Sequence, residues 1–371
     1  MSKEIGDDDI VEASNPPLKK WTSYIVDSLV VRDIKELGSG LLALIVALLV
    51  MAVMISAAKI NPLEAYLALV KGSLGSLNGI SETLVRATPL IFIGLGIAIA
   101  FRGGMWNIGG DGQLYLGALG ATIVGVYLPP MPPVIHITIE LLSGFIFGAL
   151  WAAIPAYLKM RRGTNEIVVT IMLNYIAEFL ISYLVAGPMK DNTRLIPVPE
   201  SRQIAASAVL PIFIPHTQIH AGFLIAIAAA FVVWLIIERT VLGYEIKAGG
   251  ENAEAARYGG INVLRMGFVA MVISGGLAGI AGMSEVAGVH YYLMDGITPG
   301  YGFLAIAVAL FAGLNPLGVV LSALFFGALM VGAESMQSAV GVPVATIYLL
   351  EGLVIIFVLA RRVLSRHRRS G

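Results

Sequence analysis

The stretch FRGGMWNIGGDGQ occupies residues 101–113, between two hydrophobic runs that are each short for a membrane span. It is rich in glycine and carries the polar side chains of Arg102, Asn107, Asp111 and Gln113. Non-helical polar backbone exists at membrane depth only where it is buried in protein or lines a watery cavity. We therefore interpret this stretch as part of a solute pathway.

The composition predicts a membrane protein. Of the 371 residues, 57% are hydrophobic and 13% are charged. Soluble domains carry roughly 25% charged residues, so we expect an all-α, polytopic bundle of membrane helices. The formal net charge is zero, and no nucleic-acid partner is expected. There are no cysteines, which excludes disulfides and thiolate metal sites, and the histidines are scattered, so no metal site is expected.

Ten hydrophobic segments are predicted to cross the membrane. The first, residues 41–58, has 18 residues without a charge and would extend about 27 Å as a helix, close to the thickness of the hydrocarbon core. The other nine segments are residues 84–101, 114–128, 134–158, 167–186, 221–237, 266–289, 303–313, 317–335 and 344–360.

Lysines and arginines predict the orientation of these spans. If the N-terminus is cytoplasmic and each span crosses once, 18 of these residues lie inside and six outside, which places both termini in the cytoplasm. Three regions result: a cytoplasmic N-terminal segment at 1–37, a transmembrane domain at 38–360 and a basic tail at 361–371. The apolar spacing within 21–37 fits a helix on the membrane surface, and a disordered tail fits equally.

The most informative cytoplasmic connection runs from residue 239 to residue 265. Glycines at 243, 249, 250, 259 and 260 bracket a run of good helix formers, so a short helix is predicted over Glu251–Tyr258, held between glycine hinges. Its small, alanine-rich face suits the groove of a partner protein. An ordinary solvated loop helix is the alternative.

Four segments together resemble one family. GENAEAARYGGI at 250–261 is similar to the coupling helix of ATP-binding-cassette (ABC) importer permeases for branched-chain amino acids, ribose and nucleosides, which fits into the cytoplasmic ATPase. RRGTNEIVVTIMLNYIA at 161–177 resembles the nucleoside and simple-sugar branch. MWNIGGDGQLYLGALGA at 105–121 and TPGYGFLAIAVALFAGLNPLGV at 298–319 complete the set. Asp111 departs from that branch, in which glutamate is more usual.

The resemblance implies the membrane-spanning permease subunit of an ATP-driven importer in the cell membrane, which moves nucleosides by alternating access and catalyses no bond chemistry. The implied partners are an ATPase subunit that binds ATP and Mg²⁺, a second similar permease, and an extracytoplasmic binding protein or lipoprotein. Independently of the resemblance, the chain has no G-x-x-x-x-G-K-[ST] phosphate loop, so another chain must hydrolyse the ATP. The implied ATPase-coupling residues are Gly250, Glu251, Asn252, Ala255, Ala256, Arg257, Tyr258 and Gly259.

Two patterns predict where the solute passes. Polar residues recur every four positions in the fifth span, so Asn174 and Glu178 share a helix face that either lines the pathway or hydrogen-bonds to other helices. A second glycine- and proline-interrupted stretch follows the seventh span and echoes 101–113, which is typical of binding sites in transporters built from two related halves. The candidate pathway residues are Asn107, Asp111, Gln113, Asn174, Glu178, Asp295, Tyr301 and Phe303.

Three alternatives remain. Within the family they are a permease for ribose or another simple sugar and a permease for branched-chain amino acids. Outside it, the chain would be a stand-alone transporter driven by H⁺ or Na⁺, with Glu178 or Asp111 as the coupling carboxylate. Ionisable residues near the spans for which the sequence assigns no partner are Arg86, Glu140, Glu285, Glu334 and Glu351.

Overall fold

A computed structural model describes residues 46, 48–193, 198–215, 217–343, 349, 352, 353 and 356. Within those residues the regular elements are helices, and extended backbone forms only isolated bridges, such as that between Lys190 and Ser201. The predicted all-α architecture is confirmed for this part of the chain. The N-terminal segment 1–37, the basic tail 361–371 and most of the predicted tenth span, 344–360, lie outside the described residues.

Helices follow one another along the described chain, with longer connections after α6 and after α10. A 3₁₀ turn, Ala206–Ala208, lies in the first of these connections, and a π-helical turn, Val286–His290, extends α10. The α-helices are α1 (Leu48–Ala57), α2 (Pro62–Leu74), α3 (Leu77–Arg102), α4 (Gly110–Tyr127), α5 (Pro133–Arg162), α6 (Glu166–Ala186), α7 (Gly222–Arg239), α8 (Val241–Glu251), α9 (Ala253–Tyr258), α10 (Val263–Glu285), α11 (Tyr301–Phe311) and α12 (Pro316–Val340).

Among the described residues, six helices are long and apolar enough to cross a membrane: α3, α5, α6, α7, α12 and α10 with its π turn. Each coincides with a predicted span. The predicted spans 114–128 and 303–313 correspond to α4 and α11, and α4 begins at Gly110, four residues earlier than its predicted span. Helix α11 has 11 residues and extends about 16 Å, roughly half the hydrocarbon thickness. The total of ten spans stays a prediction.

Residues 52–351 form one compact unit, and the few described residues at either end belong to a second. Helix α3 lies at the centre of the compact unit, since 83% of its most apolar window is buried, against 22% for α6. Helix α10 packs closely on α4 and α5, where a Cβ on Gly279 would lie 2.0 Å from the carbonyl oxygen of Gly144. The glycines of this span therefore allow the close helix packing, since small residues let two backbones approach each other.

Local signals fix several helix ends. At the start of α12, the side chain of Asn315 accepts a hydrogen bond from the N–H of Leu317, and Pro316 occupies the first helical position, where its missing N–H costs nothing. The helix ends at Gly341, whose φ of 71° is the left-handed conformation that glycine adopts most easily. The turn at Asn315-Pro316 therefore separates α11 from α12 as the sequence predicts.

Candidate functional site

The opening stretch breaks the helical structure. Helix α3 ends at Arg102, α4 begins at Gly110, and the backbone between them is not helical. The side chain of Asn107 holds the turn together: its Oδ1 accepts from the N–H of Gly109 at 2.9 Å, and its Nδ2 donates to Gln113 Oε1 at 2.9 Å and to Ser274 Oγ at 2.8 Å. Asn107 and Gln113 are each 1% exposed, so their paired amides fix the break from inside the bundle.

Asn174 connects both sides of this break to α6. Its Nδ2 donates to the carbonyl oxygen of Ile108 at 2.9 Å, and its Oδ1 accepts from the N–H of Gly112 at 2.8 Å. Neither backbone group has a partner within a helix. Ile108 lies in the loop before α4, and Gly112 lies in the first turn of α4, where N–H groups have no helical acceptor. Of the two roles predicted for Asn174, the structure provides hydrogen bonding between helices.

The two predicted breaks are in direct contact, and we call this contact between the first turns of α4 and α11 the junction. Asp111, in the first turn of α4, accepts hydrogen bonds on Oδ1 from the hydroxyl of Thr298 at 2.7 Å and from the N–H of Gly302 at 2.9 Å, and the N–H of Phe303 also donates to its carboxylate. A Cβ on Gly302 would lie 2.3 Å from the backbone nitrogen of Asp111. Asp111 therefore caps the N-terminus of α11, where the helix dipole favours a negative charge.

The remaining pathway candidates differ in exposure. Tyr301 is 1% exposed, whereas Phe303, two positions further along α11, is 49% exposed. Asp295 is exposed and accepts a hydrogen bond from the hydroxyl of Ser182 on α6 at 2.7 Å, one turn beyond Glu178, which is half-buried. Glu178, Asp295 and Phe303 are therefore at least partly exposed, whereas the other five candidates are buried.

Tyr115 was not predicted from the sequence, although it belongs to the junction. It is buried on the first turns of α4, within electrostatic range of the carboxylates of Asp111, Glu178 and Asp295. The acidic residues that act electrostatically on this phenol thus come from three separate elements. Its position could not be read from the sequence, because only the packing of α6 and of the loop before α11 against α4 brings those carboxylates together.

A second polar group centres on Arg86 in α3. Its Nη1 lies 3.4 Å from the hydroxyl of Tyr301, its Nε 3.3 Å from Glu82 Oε1, and its Nη2 3.3 Å from Glu334 Oε1. The arginine therefore connects α3, α11 and α12. The sequence marks Arg86 and Glu334 as ionisable residues near spans, but they lie 248 positions apart, and only the fold shows that they are partners.

The predicted coupling region forms two helices rather than one. Helix α8 ends at Glu251 and α9 begins at Ala253, because Asn252 leaves the helical conformation and its side chain accepts from the N–H groups of Glu254 at 3.1 Å and Ala255 at 3.0 Å. The expectation of a single helix over Glu251–Tyr258 with hinges at residues 243, 249 and 250 is therefore wrong, since these glycines lie inside α8. The glycines at 259 and 260 do end α9.

The surface of α9 is unevenly available to a partner. Tyr258 is 95% exposed, and Glu254, Ala255 and Arg257 are exposed beside it. Ala256 is buried against the rest of the chain. Any protein that docks on this helix therefore meets Ala255, Arg257 and Tyr258 rather than Ala256. Of the remaining predicted coupling residues, Glu251, Asn252 and Gly259 are also exposed, as is Gly250 at the edge of α8.

A helical membrane protein in which two breaks between apolar helices meet inside the bundle has the construction of a transport permease. Residues 79–359 match the family described as branched-chain amino acid transport system / permease component, and the chain belongs to that family. The motif resemblance noted above is thereby confirmed. The protein is a multi-pass permease of the cell membrane.

Three of the most similar relatives are named for a sugar or for nucleosides. The chain is 36% identical over 341 residues to the glucose ABC transporter permease protein TsgB13 of Haloferax volcanii, with 89% of each chain covered. It is 34% identical to the guanosine ABC transporter permease protein NupP of Bacillus subtilis, over 92% of this chain and 99% of the relative. It is 31% identical to the nucleoside ABC transporter permease protein NupB of Lactococcus lactis, over 88% and 91%.

Proposed function

We propose that this permease carries nucleosides into the cell as one subunit of an ATP-driven importer. The observation that carries the proposal is the match to the guanosine permease along 99% of that relative's length. The surface beside the junction agrees with this solute class. Glu178 and Asp295 offer acceptors for ribose hydroxyls, and the half-exposed ring of Phe303 offers a flat surface for a base.

Transport in this proposal works by alternating access around the junction of α4 and α11. Movement of the ATPase subunits displaces α8 and α9 and rocks the bundle between outward and inward openings. The chain contributes a pathway and no bond chemistry; ATP and Mg²⁺ are bound by the partner ATPase. The pathway needs only weak affinity, because an extracytoplasmic binding protein delivers the solute. A second, similar permease completes the membrane part.

The proposed topology has ten spans and both termini in the cytoplasm. The excess of lysine and arginine in the segments assigned to the inside, 18 against six, supports this arrangement. Six described helices match six of those spans in position. Cysteines introduced singly at Tyr258 and Arg202 test it in intact cells: a membrane-impermeant thiol reagent should label Cys at 202 and leave Cys at 258 unlabelled. The reverse pattern would overturn the orientation.

Uptake measurements test the solute. The permease, reconstituted with its ATPase, second permease and binding protein, is expected to accumulate guanosine when ATP is supplied. Phe303→Ala should reduce that uptake several-fold, since a ring contact typically contributes roughly 0.5–1.5 kcal/mol. ATP-dependent uptake of glucose without uptake of guanosine would contradict the nucleoside assignment.

A simple sugar is the second candidate, favoured by the 36% identity to the glucose permease. Competition separates the two: an excess of glucose should leave guanosine uptake unchanged, and adenosine or another nucleoside should inhibit it. An ion-coupled mechanism has its own test. The chain reconstituted alone should show no uptake under an imposed H⁺ or Na⁺ gradient, and robust uptake under those conditions would overturn the ATP-driven mechanism.

Docking of the ATPase is tested on α9. Ala255→Glu and Tyr258→Ala change side chains that are exposed, so they should abolish co-purification of the ATPase and leave the permease folded. Arg202, in the connection between α6 and α7, is also exposed, so Arg202→Ala is the control and should retain the ATPase. Retention of the ATPase in both α9 variants would show that another surface binds it.

A further inference from the structure

Helix α8 lies directly on the backbone of the first break. A Cβ on Gly250 would lie 2.0 Å from the carbonyl oxygen of Arg102 and 2.8 Å from the nitrogen of Gly104. The atoms that such a Cβ would meet belong to the main chain, so no side-chain rotation could relieve the clash. Ile246, one turn earlier in α8, also reaches Gly103, where a Cβ would lie 3.3 Å from its Cγ2. Helix α8 and residues 102–104 therefore either move together or lose this contact.

Charged side chains hold the same contact in register. Arg102 Nη1 lies 2.6 Å from Glu238 Oε1, and Lys247 Nζ lies 2.8 Å from Glu238 Oε2. One carboxylate on α7 thus binds the last residue of α3 and a residue in the middle of α8. Pairs of this exposure contribute little to stability, but a carboxylate shared by two cations fixes their relative positions.

The other end of the break is anchored in the solute pathway. Within seven residues of Arg102 the chain reaches Asn107, whose amide bonds to Gln113 and Ser274, and Ile108, whose carbonyl oxygen accepts from Asn174. Segments 102–104 and 107–109 are therefore each fixed, the first to α8 and the second to the junction. Densely packed backbone transmits a displacement rather than absorbing it.

We propose that the contact of Gly250 with Arg102–Gly104 is where movement of the α8–α9 pair reaches the solute pathway, and that Glu238 is the positioning residue that keeps this contact in register. The proposal rests on the function proposed above. It assigns to Gly250 a role that docking of the ATPase does not require. Residues 103–109 then transmit a displacement of the ATPase-facing helices to the junction of α4 and α11.

Adjacent glycines in α8 provide a matched pair of variants. Gly250→Ala inserts a methyl group into the contact, whereas Gly249→Ala meets nothing closer than Val263 Cγ1 at 3.6 Å, an ordinary contact. Both changes raise helix propensity equally. In the reconstituted importer, solute transported per ATP hydrolysed should fall roughly five- to 150-fold in Gly250→Ala, the range typical of coupling between sites, and stay at the wild-type ratio in Gly249→Ala. Equal ratios in the two variants would overturn the proposal.

Glu238→Gln supplies a second test in case Gly250→Ala does not assemble. It keeps the glycine contact and removes the charge shared by Arg102 and Lys247. The transport ratio should fall about two- to fivefold, because each exposed ion pair contributes at most about 1 kcal/mol. An unchanged ratio would show that Glu238 has no positioning role.

Trp106 reports on the break itself. It lies between the two anchored segments and is 49% exposed. In an importer assembled from unlabelled partners and this chain labelled with 5-fluorotryptophan, with Trp21, Trp151 and Trp234 replaced by Phe, addition of ATP should shift the ¹⁹F signal of residue 106, and Gly250→Ala should abolish the shift. A silent Trp106 in an importer that transports would overturn the proposed route. A responsive Trp106 without nucleoside uptake would leave the route standing and overturn the solute assignment.

Discussion

The carboxylate of Asp111 lies 2.9 Å from the backbone nitrogen of Gly302, although 191 residues separate the two in the chain. This hydrogen bond joins the first turn of α4 to the first turn of α11. Thr298 and Phe303 donate to the same carboxylate, so Asp111 uses its oxygen atoms for hydrogen bonds within the protein. Asp111 thus acts as an anchor between the two helix breaks, which accounts for a carboxylate at this depth without ion coupling.

Replacing Asp111 tests that anchoring role. Asp111→Asn removes the charge and one acceptor oxygen, so the importer subunit should lose about 1–3 kcal/mol of stability, seen as a lower thermal midpoint in detergent. Asp111→Ala should lose more, since the N–H groups of Gly302 and Phe303 are then buried without a partner. Asp295→Asn is the control: this carboxylate is exposed, and the midpoint should change little. Equal midpoints for Asp111→Asn and wild type would contradict the anchor.

Gly302 should tolerate no larger side chain. Its Cβ position is 2.3 Å from the nitrogen of Asp111 and 2.7 Å from Oδ2, so Gly302→Ala forces α4 and α11 apart. Overpacking of this kind costs roughly 1–3 kcal/mol, and transport should fall because the junction is displaced. Circular dichroism on heating and uptake assays measure the two effects. Normal stability together with normal uptake would show that the breaks do not depend on this contact.

Two residues one turn apart on α6 should separate stability from transport. Asn174→Leu leaves the N–H of Gly112 and the carbonyl of Ile108 without partners, at a cost of about 1–3 kcal/mol. Glu178→Gln changes a half-buried carboxylate beside the junction, and we expect slower nucleoside uptake at an unchanged thermal midpoint. The prediction fails if Asn174→Leu unfolds at the wild-type temperature or if Glu178→Gln transports at the wild-type rate.

The stability of the fold should depend on pH through the imidazole of His220. This residue lies in the connection between α6 and α7, is 2% exposed, and accepts the N–H of Gly222 on Nδ1 at 3.1 Å. Burial lowers the pKa of its imidazole to about 4 from the usual 6.5. The unfolded chain therefore binds this proton more readily than the folded protein does. The contribution of His220 to the free energy of unfolding is fully present above about pH 6.5, and it decreases by on the order of 3 kcal/mol as the pH falls towards about 4.

The His220 prediction is checked by comparison with His220→Asn, which keeps an acceptor for the N–H of Gly222 and cannot be protonated. Thermal midpoints of both proteins are measured between about pH 7.5 and about pH 5, the window in which the difference in proton binding develops. The wild type should lose stability more steeply than the variant on acidification. Parallel curves would mean that His220 takes up its proton in the folded protein without penalty.

The sequence by itself determined the class of structure and the position of its interruptions. Long apolar runs have to form helices in lipid, since every backbone group must be satisfied within its own segment. Local chemistry then sets the ends, as Asn315, Pro316 and Gly341 do for α12. The breaks at 103–109 and before Tyr301 follow from glycine and polar residues at membrane depth. The first is shorter than the predicted stretch 101–113, because α4 already begins at Gly110.

Tertiary structure alone decided which of these groups meet. Nothing local pairs Asp111 with Gly302, Arg86 with Glu334, or Asn107 with Ser274, because each pair comes from helices whose relative rotation depends on packing throughout the bundle. The division of the coupling region at Asn252 is different, because its cause is local: the Asn252 side chain caps α9. The close approach of Gly250 to Arg102 is tertiary, since it requires glycine within a helix only once α8 is packed against α3.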